Sequence, residues 1–546
     1  SNGGETLRIG TSHYSLTNSF TVVENNYFDR CDGEVEIISV KSGSNRVSGN
    51  LFYESRGTLT LRHGNDNLVE DNIFLGNGVD HTGGIRVINK RQTIRNNYLQ
   101  GLMGYRFGGG LVVMNGVPNS SINRYHQVDG AVIENNSLIN VEHLQFAAGS
   151  DAERSAVPIN SAFSNNLIFN EKGRDAFTLY DDVSGIRFEN NLLNKVANPQ
   201  LTEGFVNRHV VLEKAANGLL YPKSAELAAT GAKRDLVVLD KESTGAPWYP
   251  KADRSIRFDT GATIGVQPTA GALEAAVKQA QAGDIIRLAA GDYRVSRVLD
   301  IDKPLTFVAN NDAEIQFERT TLFEIADGGS LKLSGLAVSG KSSPDNVGNS
   351  VIRTSRYSML INYQVEVENS KFTDLDVNRS FNFLNVAKST MADSISIVDS
   401  QFSNVSGAIL QLDKEADDYG IFNADYVRIT GSSFTNVQGA LAKLYRGGTD
   451  ESTFGPHFLL KDSELTNVGN GSKNKSKASI YLHGVQVTEV ANNSLSDSLA
   501  IKIDHTVGEP VTRVVNNRLA GMPLPTVQEL HSHKKNTAVI AGNSVN

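Results

Sequence analysis

The sequence predicts an all-β protein made of two right-handed parallel β-helices. Three observations carry that prediction. A short pattern (apolar, polar, Asn-Asn or a close variant, then apolar residues) recurs through the N-terminal part of the chain, with no helical periodicity between its copies. An interruption rich in proline follows, holding the sole Trp248. Beyond it, one amphipathic helical stretch precedes a second series of the same pattern in variant form.

The first series runs from Val23-Glu24-Asn25-Asn26-Tyr27-Phe28 to Phe188-Glu189-Asn190-Asn191-Leu192. Its second Asn, or the residue in that place, falls at 26, 50, 72, 97, 136, 166 and 191, in steps of 24, 22, 25, 39, 30 and 25. A period in the twenties with short strands fits a coil of three strands joined by turns. Asn suits the corners because it tolerates the left-handed backbone region and its amide can bond the backbone or an Asn one coil away. The longer steps imply loops bulging from single coils. A leucine-rich repeat has a similar period but needs a leucine ladder that this chain lacks.

Residues 201–264 read as a linker wrapping between units. Over 269–283, Leu273, Ala276, Val277 and Ala280 recur at helical spacing, with Thr269 as N-cap and Gly283 just past the end. Such a helix is the expected polar cap of an open β-helix end. The second ladder then spans Glu368-Asn369-Ser370 to Asn516-Asn517-Arg518. The domains expected are therefore 1–200, a β-helix lacking its N-terminal coils and cap; 201–264, the linker; and 265–546, a second β-helix.

Composition excludes other classes. Hydrophobic residues at 39% with 49 glycines in 546 make an ordinary globular share, so wholesale disorder is excluded. No apolar run approaches the roughly 18–20 residues of a membrane-spanning helix. A net charge of −8, from 52 Lys+Arg against 60 Asp+Glu, argues against a nucleic-acid binder but leaves room for a local basic stripe. The single Cys31 permits neither an intrachain disulfide nor a zinc cluster.

Strand alternation turns spacing into a surface map. In Glu34-Val35-Glu36-Ile37 the two apolar residues point inward, so Glu34 and Glu36 share the outer face. A bend between Ile37 and Ile38 then lets Ser39 and Lys41 face out. One coil later Thr60 and Arg62 face out, and another coil on Arg86 does. Lys41, Arg62 and Arg86, separated by 21 and 24 residues, are expected to stack as a column of three cations beside two carboxylates. Stacked like charges repel unless something anionic lies over them, so an acidic polymer is the natural ligand. Paired carboxylates also suit a hard cation such as Ca²⁺, with Asn2 and Glu5 on the preceding coil available to complete the set. Tyr125 and His126 lie in the loop of the 39-residue step, where they either overhang the cleft or serve as plain loop residues, the commoner case. The second β-helix shows no comparable cation column, and its expected roles are to bound the cleft or to mediate self-association, as in a homodimer.

Three blocks, Asn2-Gly3-Gly4-Glu5-Thr6-Leu7-Arg8-Ile9, Glu34-Val35-Glu36-Ile37-Ile38-Ser39-Val40-Lys41 and Leu59-Thr60-Leu61-Arg62-His63-Gly64-Asn65, extended by Gly83-Gly84-Ile85-Arg86, resemble polysaccharide lyase family 6 in order and spacing. That family holds alginate lyases and the dermatan-cleaving chondroitinase B. The resemblance implies a secreted or periplasmic, calcium-dependent alginate lyase working by β-elimination. It implies Asn2, Glu34 and Glu36, with Glu5, as calcium ligands, Lys41 as general base and Arg62 as general acid or charge stabiliser. His63 and Arg86 would be substrate contacts. Dermatan sulfate cleavage by the same chemistry, and a non-catalytic β-helix that only grips polyanionic carbohydrate, are the alternatives.

Overall fold

The computed structural model describes residues 4–248, 257–310, 312–449, 454–506, 510–530 and 538–545. Asn2 lies outside the described residues. The chain divides between residues 253 and 254 into two compact units.

In the first unit each coil gives one strand to each of three parallel sheets, of seven, seven and eight strands. Inward residues form one continuous core that includes Ile37, Ile38, Val40, Leu59, Leu61, Ile85 and Val87. The recurring Asn-Asn corner explains how the coils stay in register, and its two residues divide the work. The first of each pair takes the left-handed backbone: Asn25, Asn96, Asn135, Asn165 and Asn190 have φ of 53–56°, with Asp71 at 60° and Gly49 at 63° in the same role. The second builds a ladder. The amide of Asn26 donates to Asn50, Asn50 to Asn72, Asn72 to Asn97, Asn97 to Asn136, Asn136 to Asn166 and Asn166 to Asn191, each at 2.9–3.1 Å. Each of these oxygens also accepts the backbone N–H of the preceding rung. Beside the corner, Phe28, Phe52 and Phe74 stack at 4.6 and 4.3 Å. A shorter ladder, Asn45 to Asn67 to Gln92, runs through another corner and has no fixed dipeptide to announce it.

Residues 201–248 depart from the expected linker. Phe205–Arg208 adds a strand to the third sheet, and Leu212–Lys214 pairs antiparallel with Leu220–Pro222. Leu219, Tyr221, Ala232 and Leu236 then cover Leu51, Ile73, Tyr98 and Ile139 on that sheet's outer face. Lys233 pairs with Asp71 at 3.1 Å and Lys241 with Asp29 at 2.5 Å, so the segment runs back along the coils. An apolar outer stripe on the third sheet is the physical reason this stretch belongs to the first unit.

The second unit has sheets of eleven, ten and nine strands, beginning with Thr263–Val266. Its helix is Ala272–Gln279, capped by Gly271 at φ 75° rather than by Thr269, and it buries Leu273, Ala276 and Val277. The corner ladder here starts with serine. Ser400, Ser432 and Ser463 accept the backbone N–H of the preceding rung, and Asn493, Asn517 and Asn543 continue the series.

Candidate active site

The site lies on the outer face of the first sheet, over the strands Leu7–Gly10, Glu36–Lys41, Gly57–His63 and Thr82–Val87. Register corrects the expected column. Ile37 is an extra residue between the pairs Glu36↔Thr58 and Ile38↔Leu59, which is the predicted bend in the form of a bulge. A second irregularity aligns Ser39 with Thr60 but Lys41 with His63. Arg86 pairs with Thr60. The outward series are therefore Arg8, Ser39, Thr60, Arg86 and Gly10, Lys41, His63. Arg62 sits at the bulge, in neither. Lys41, Arg62 and Arg86 share one wall without forming one file. Strand alternation fixes which residues face out but not the register between coils, and each bulge adds a residue that shifts it.

What joins these side chains is carboxylate. Ligand oxygens of Glu5, Glu34 and Glu36 all lie within 4.8 Å of one another, and Glu34 and Glu36 are buried. Arg86 donates to Glu36 Oε1 at 3.4 Å, Arg62 lies 3.6 Å from the same oxygen, and Ser39 Oγ donates to Oε2 at 2.5 Å. Lys41 Nζ donates to Glu5 Oε1 at 3.5 Å, and Arg8 grips the same carboxylate through Nε at 2.9 Å and Nη2 at 2.6 Å. Burial pushes the Glu5 carboxyl up, but the hydrogen bond from Arg8 and the charges of Lys41 and Arg8 outweigh it and hold the group below its usual range. Gly57 makes the close approach of coils possible here: at φ 129°, a Cβ would stand 2.6 Å from the carbonyl oxygen of Val35.

Aromatic rings fix the guanidiniums. Tyr125 arrives from the expected loop, its ring 4.0 Å under the Arg62 guanidinium and its hydroxyl accepting from Arg86 at 3.2 Å. Burial pushes the Tyr125 phenol up, yet the charges of Arg86 and Arg62 prevail and lower it. Phe107 lies under Arg86 at 4.6 Å. Arg86 is almost wholly buried, at 2% exposure, and its Nε and Arg62 Nη1 have no hydrogen-bond partner among the described residues. Arg8, Ser39 and Phe107 were not singled out from sequence; Arg8 and Ser39 stand within the quoted blocks, and only Phe107 gave no signal.

His63 is buried, and its Nδ1 has no hydrogen-bond partner among the described residues. Burial first, then Arg62, Lys41 and His126, push its imidazole down to about 3, so it is neutral in the folded protein. The unfolded chain binds a proton near pH 6.5 that the native state refuses until about 3. Stability is thus lost as pH falls through that window. His63→Gln is expected to flatten the denaturation midpoint against pH between 6.5 and 3; an unchanged slope would place the imidazole in water.

The donor set suits a hard divalent cation: three carboxylates converge, two of them buried, and oxygen ligands are what calcium takes. Four cationic side chains, Arg8, Lys41, Arg62 and Arg86, surround the three acids, so the wall presents net positive charge to an anionic chain.

Fold and site together define a β-helix polysaccharide lyase. A family model described as Chondroitinase B matches residues 1–230. The structure of PL6 family alginate lyase AlyGC is 52% identical with a TM-score of 0.98, covering 100% of this chain and 76% of that one, and an AlyGC mutant gives the same values. A mannuronic acid specific family 6 lyase from human gut microbiota is 32% identical over 39% of this chain and 50% of its own, with a TM-score of 0.34. No curated protein matches significantly. The chain belongs to polysaccharide lyase family 6.

Proposed function

We propose that this lyase is a calcium-dependent alginate lyase that leaves a 4,5-unsaturated uronate end. The observation that carries the reading is the convergence of Lys41, Arg62 and Arg86 on the Glu5 and Glu36 carboxylates on one wall. It is joined to 52% identity with an alginate lyase. Glu5, Glu34 and Glu36 would hold the calcium, with Asn2 the further ligand the family resemblance implies. When bound, calcium offsets the substrate carboxylate's charge and so eases loss of the neighbouring C5 proton.

The protein's own residues do the rest. Lys41, after giving up its own proton to solvent, takes the C5 proton. The C5–H electron pair becomes the C4=C5 double bond, and the C4–O bond breaks toward the glycosidic oxygen. Arg62, whose side chain stays 22% exposed, supplies positive charge and a hydrogen bond to that oxygen; a guanidinium stabilises such charge better than it surrenders a proton. Arg86, clamped between Phe107 and Tyr125, orients Glu36 and adds positive charge behind the substrate carboxylate. A polymer substrate accords with a secreted or periplasmic enzyme.

Dermatan sulfate is the second reading, favoured by the family model that matches residues 1–230. A side-by-side panel decides between them. Ultraviolet absorbance of unsaturated uronate is expected to rise on alginate and stay flat on dermatan sulfate; the reverse result replaces the substrate.

A further inference from the structure

The second unit carries a cleft of about 720 Å³ on the outer face of its nine-stranded sheet. Register builds it. Gln411, Lys443, Tyr481 and Lys502 are aligned on four successive coils, a cation–aromatic–cation series that the sequence reading did not find. Successive rungs lie about 4.8 Å apart, close to the advance of one 1,4-linked pyranose ring. The loop at 473–476 overhangs them: Lys502 Nζ donates to the Ser476 carbonyl at 3.2 Å, and Lys473 and Lys475 line the rim.

The charge is unbalanced. With Arg379, five cations line the cleft against Asp413 and Asp504. Asp504 is already engaged, accepting from the Tyr481 hydroxyl at 2.9 Å and lying 3.4 Å from His483 Nδ1. Among the described residues no carboxylate forms an ion pair with Lys443, Lys473, Lys475 or Lys502. Lys443 is half-buried, and burial pushes its ammonium down despite the opposing charge of Asp413. A partly desolvated cation with no ion pair among the described residues, flanked by a tyrosine ring and by Gln411 and Asn382 amides, is what an anionic sugar needs. Carboxylates meet the lysines, a ring face meets the tyrosine, and hydroxyls meet the amides.

We propose that this cleft is a second, non-catalytic binding site for an anionic uronate oligosaccharide. It tethers the polymer to the chain independently of the elimination centre. The choice of alginate as its polymer rests on the function proposed above; the existence of the site does not.

Calorimetry on the full chain carrying Lys41→Ala, which keeps the ligand intact, tests it with alginate hexasaccharide as probe. Two binding events per chain are expected. Adding Lys443→Gln and Lys502→Gln should weaken one event at least tenfold and leave the other unchanged. Lys475→Glu, on an exposed loop where the fold is not at stake, should weaken the same event. A single event, or a second event indifferent to these changes, overturns the site. Polygalacturonate hexasaccharide separates the two readings. If it binds in a Lys443-dependent way while alginate binds nowhere, the site stands and the alginate assignment falls. Single-stranded DNA of equal charge binding as tightly would overturn the saccharide class. In the otherwise unsubstituted enzyme, Lys443→Gln with Lys502→Gln should raise KM for polymer and leave kcat on short oligosaccharides unchanged.

Discussion

Lys41→Ala is expected to cut the rate of elimination by about 10²–10⁴-fold, the usual contribution of a positioned general base. The fold should survive, because the one side-chain hydrogen bond of Lys41 among the described residues is that of 3.5 Å to Glu5, and Glu5 keeps its grip from Arg8. Two controls sharpen the result. Substrate affinity should fall far less than turnover, since the charges of Arg62 and Arg86 remain on the wall. Arg62→Lys should retain more activity than Arg62→Ala if Arg62 acts mainly through charge. Initial rates from the absorbance of the unsaturated product measure both. A Lys41→Ala enzyme with turnover near normal would remove the base from the scheme.

The second large effect concerns stability. Asn97→Ala should cost roughly 3–5 kcal/mol, because it orphans several buried groups at about 1–3 kcal/mol each before relaxation. The Asn97 side chain is fully buried. Its oxygen accepts from the backbone N–H and the amide of Asn72, and its amide donates to Asn136 and to the carbonyls of Val69 and Arg95. Asn470, exposed and outside the ladder, makes the informative contrast: Asn470→Ala loses bonds to Asn467 and the Asp497 carbonyl that water replaces and should cost less than about 1 kcal/mol. Chemical denaturation of the two variants beside the parent chain gives the comparison. Equal costs would mean that the ladder is decoration on a core that holds register by itself.

Much of this was legible because a solenoid writes its geometry into sequence spacing. A corner that needs a left-handed residue followed by a ladder amide leaves a recurring Asn-Asn pair. Asp71 and Gly49 stand in the first Asn's place because they too take the left-handed backbone conformation. The carboxylates were legible as an alternating pair on one strand. The register of the cations was not. Strand alternation is a local rule, whereas the bulge at Ile37 and the second irregularity near Arg62 are set by how neighbouring coils fit. Lys41 therefore lies beside His63 rather than Arg62. Phe107 escaped notice because a ring under a guanidinium leaves no periodic trace. Lys443 and Lys502 escaped for a related reason: Tyr481 stands between them, and the coil steps there are 38 and 21 residues, too uneven to suggest a column. Residues 201–248 misled because proline-rich, unrepetitive sequence resembles a linker whether or not an apolar stripe awaits it.

Stripping divalent metal from the enzyme and following alginate cleavage by ultraviolet absorbance bears most directly on the elimination centre. Activity should vanish with chelator and return on adding Ca²⁺ to the parent enzyme, while Glu34→Gln and Glu36→Gln enzymes should stay inactive at the same calcium concentration. Undiminished cleavage by metal-free enzyme, or full activity in those two variants, would contradict the role assigned to the three converging carboxylates.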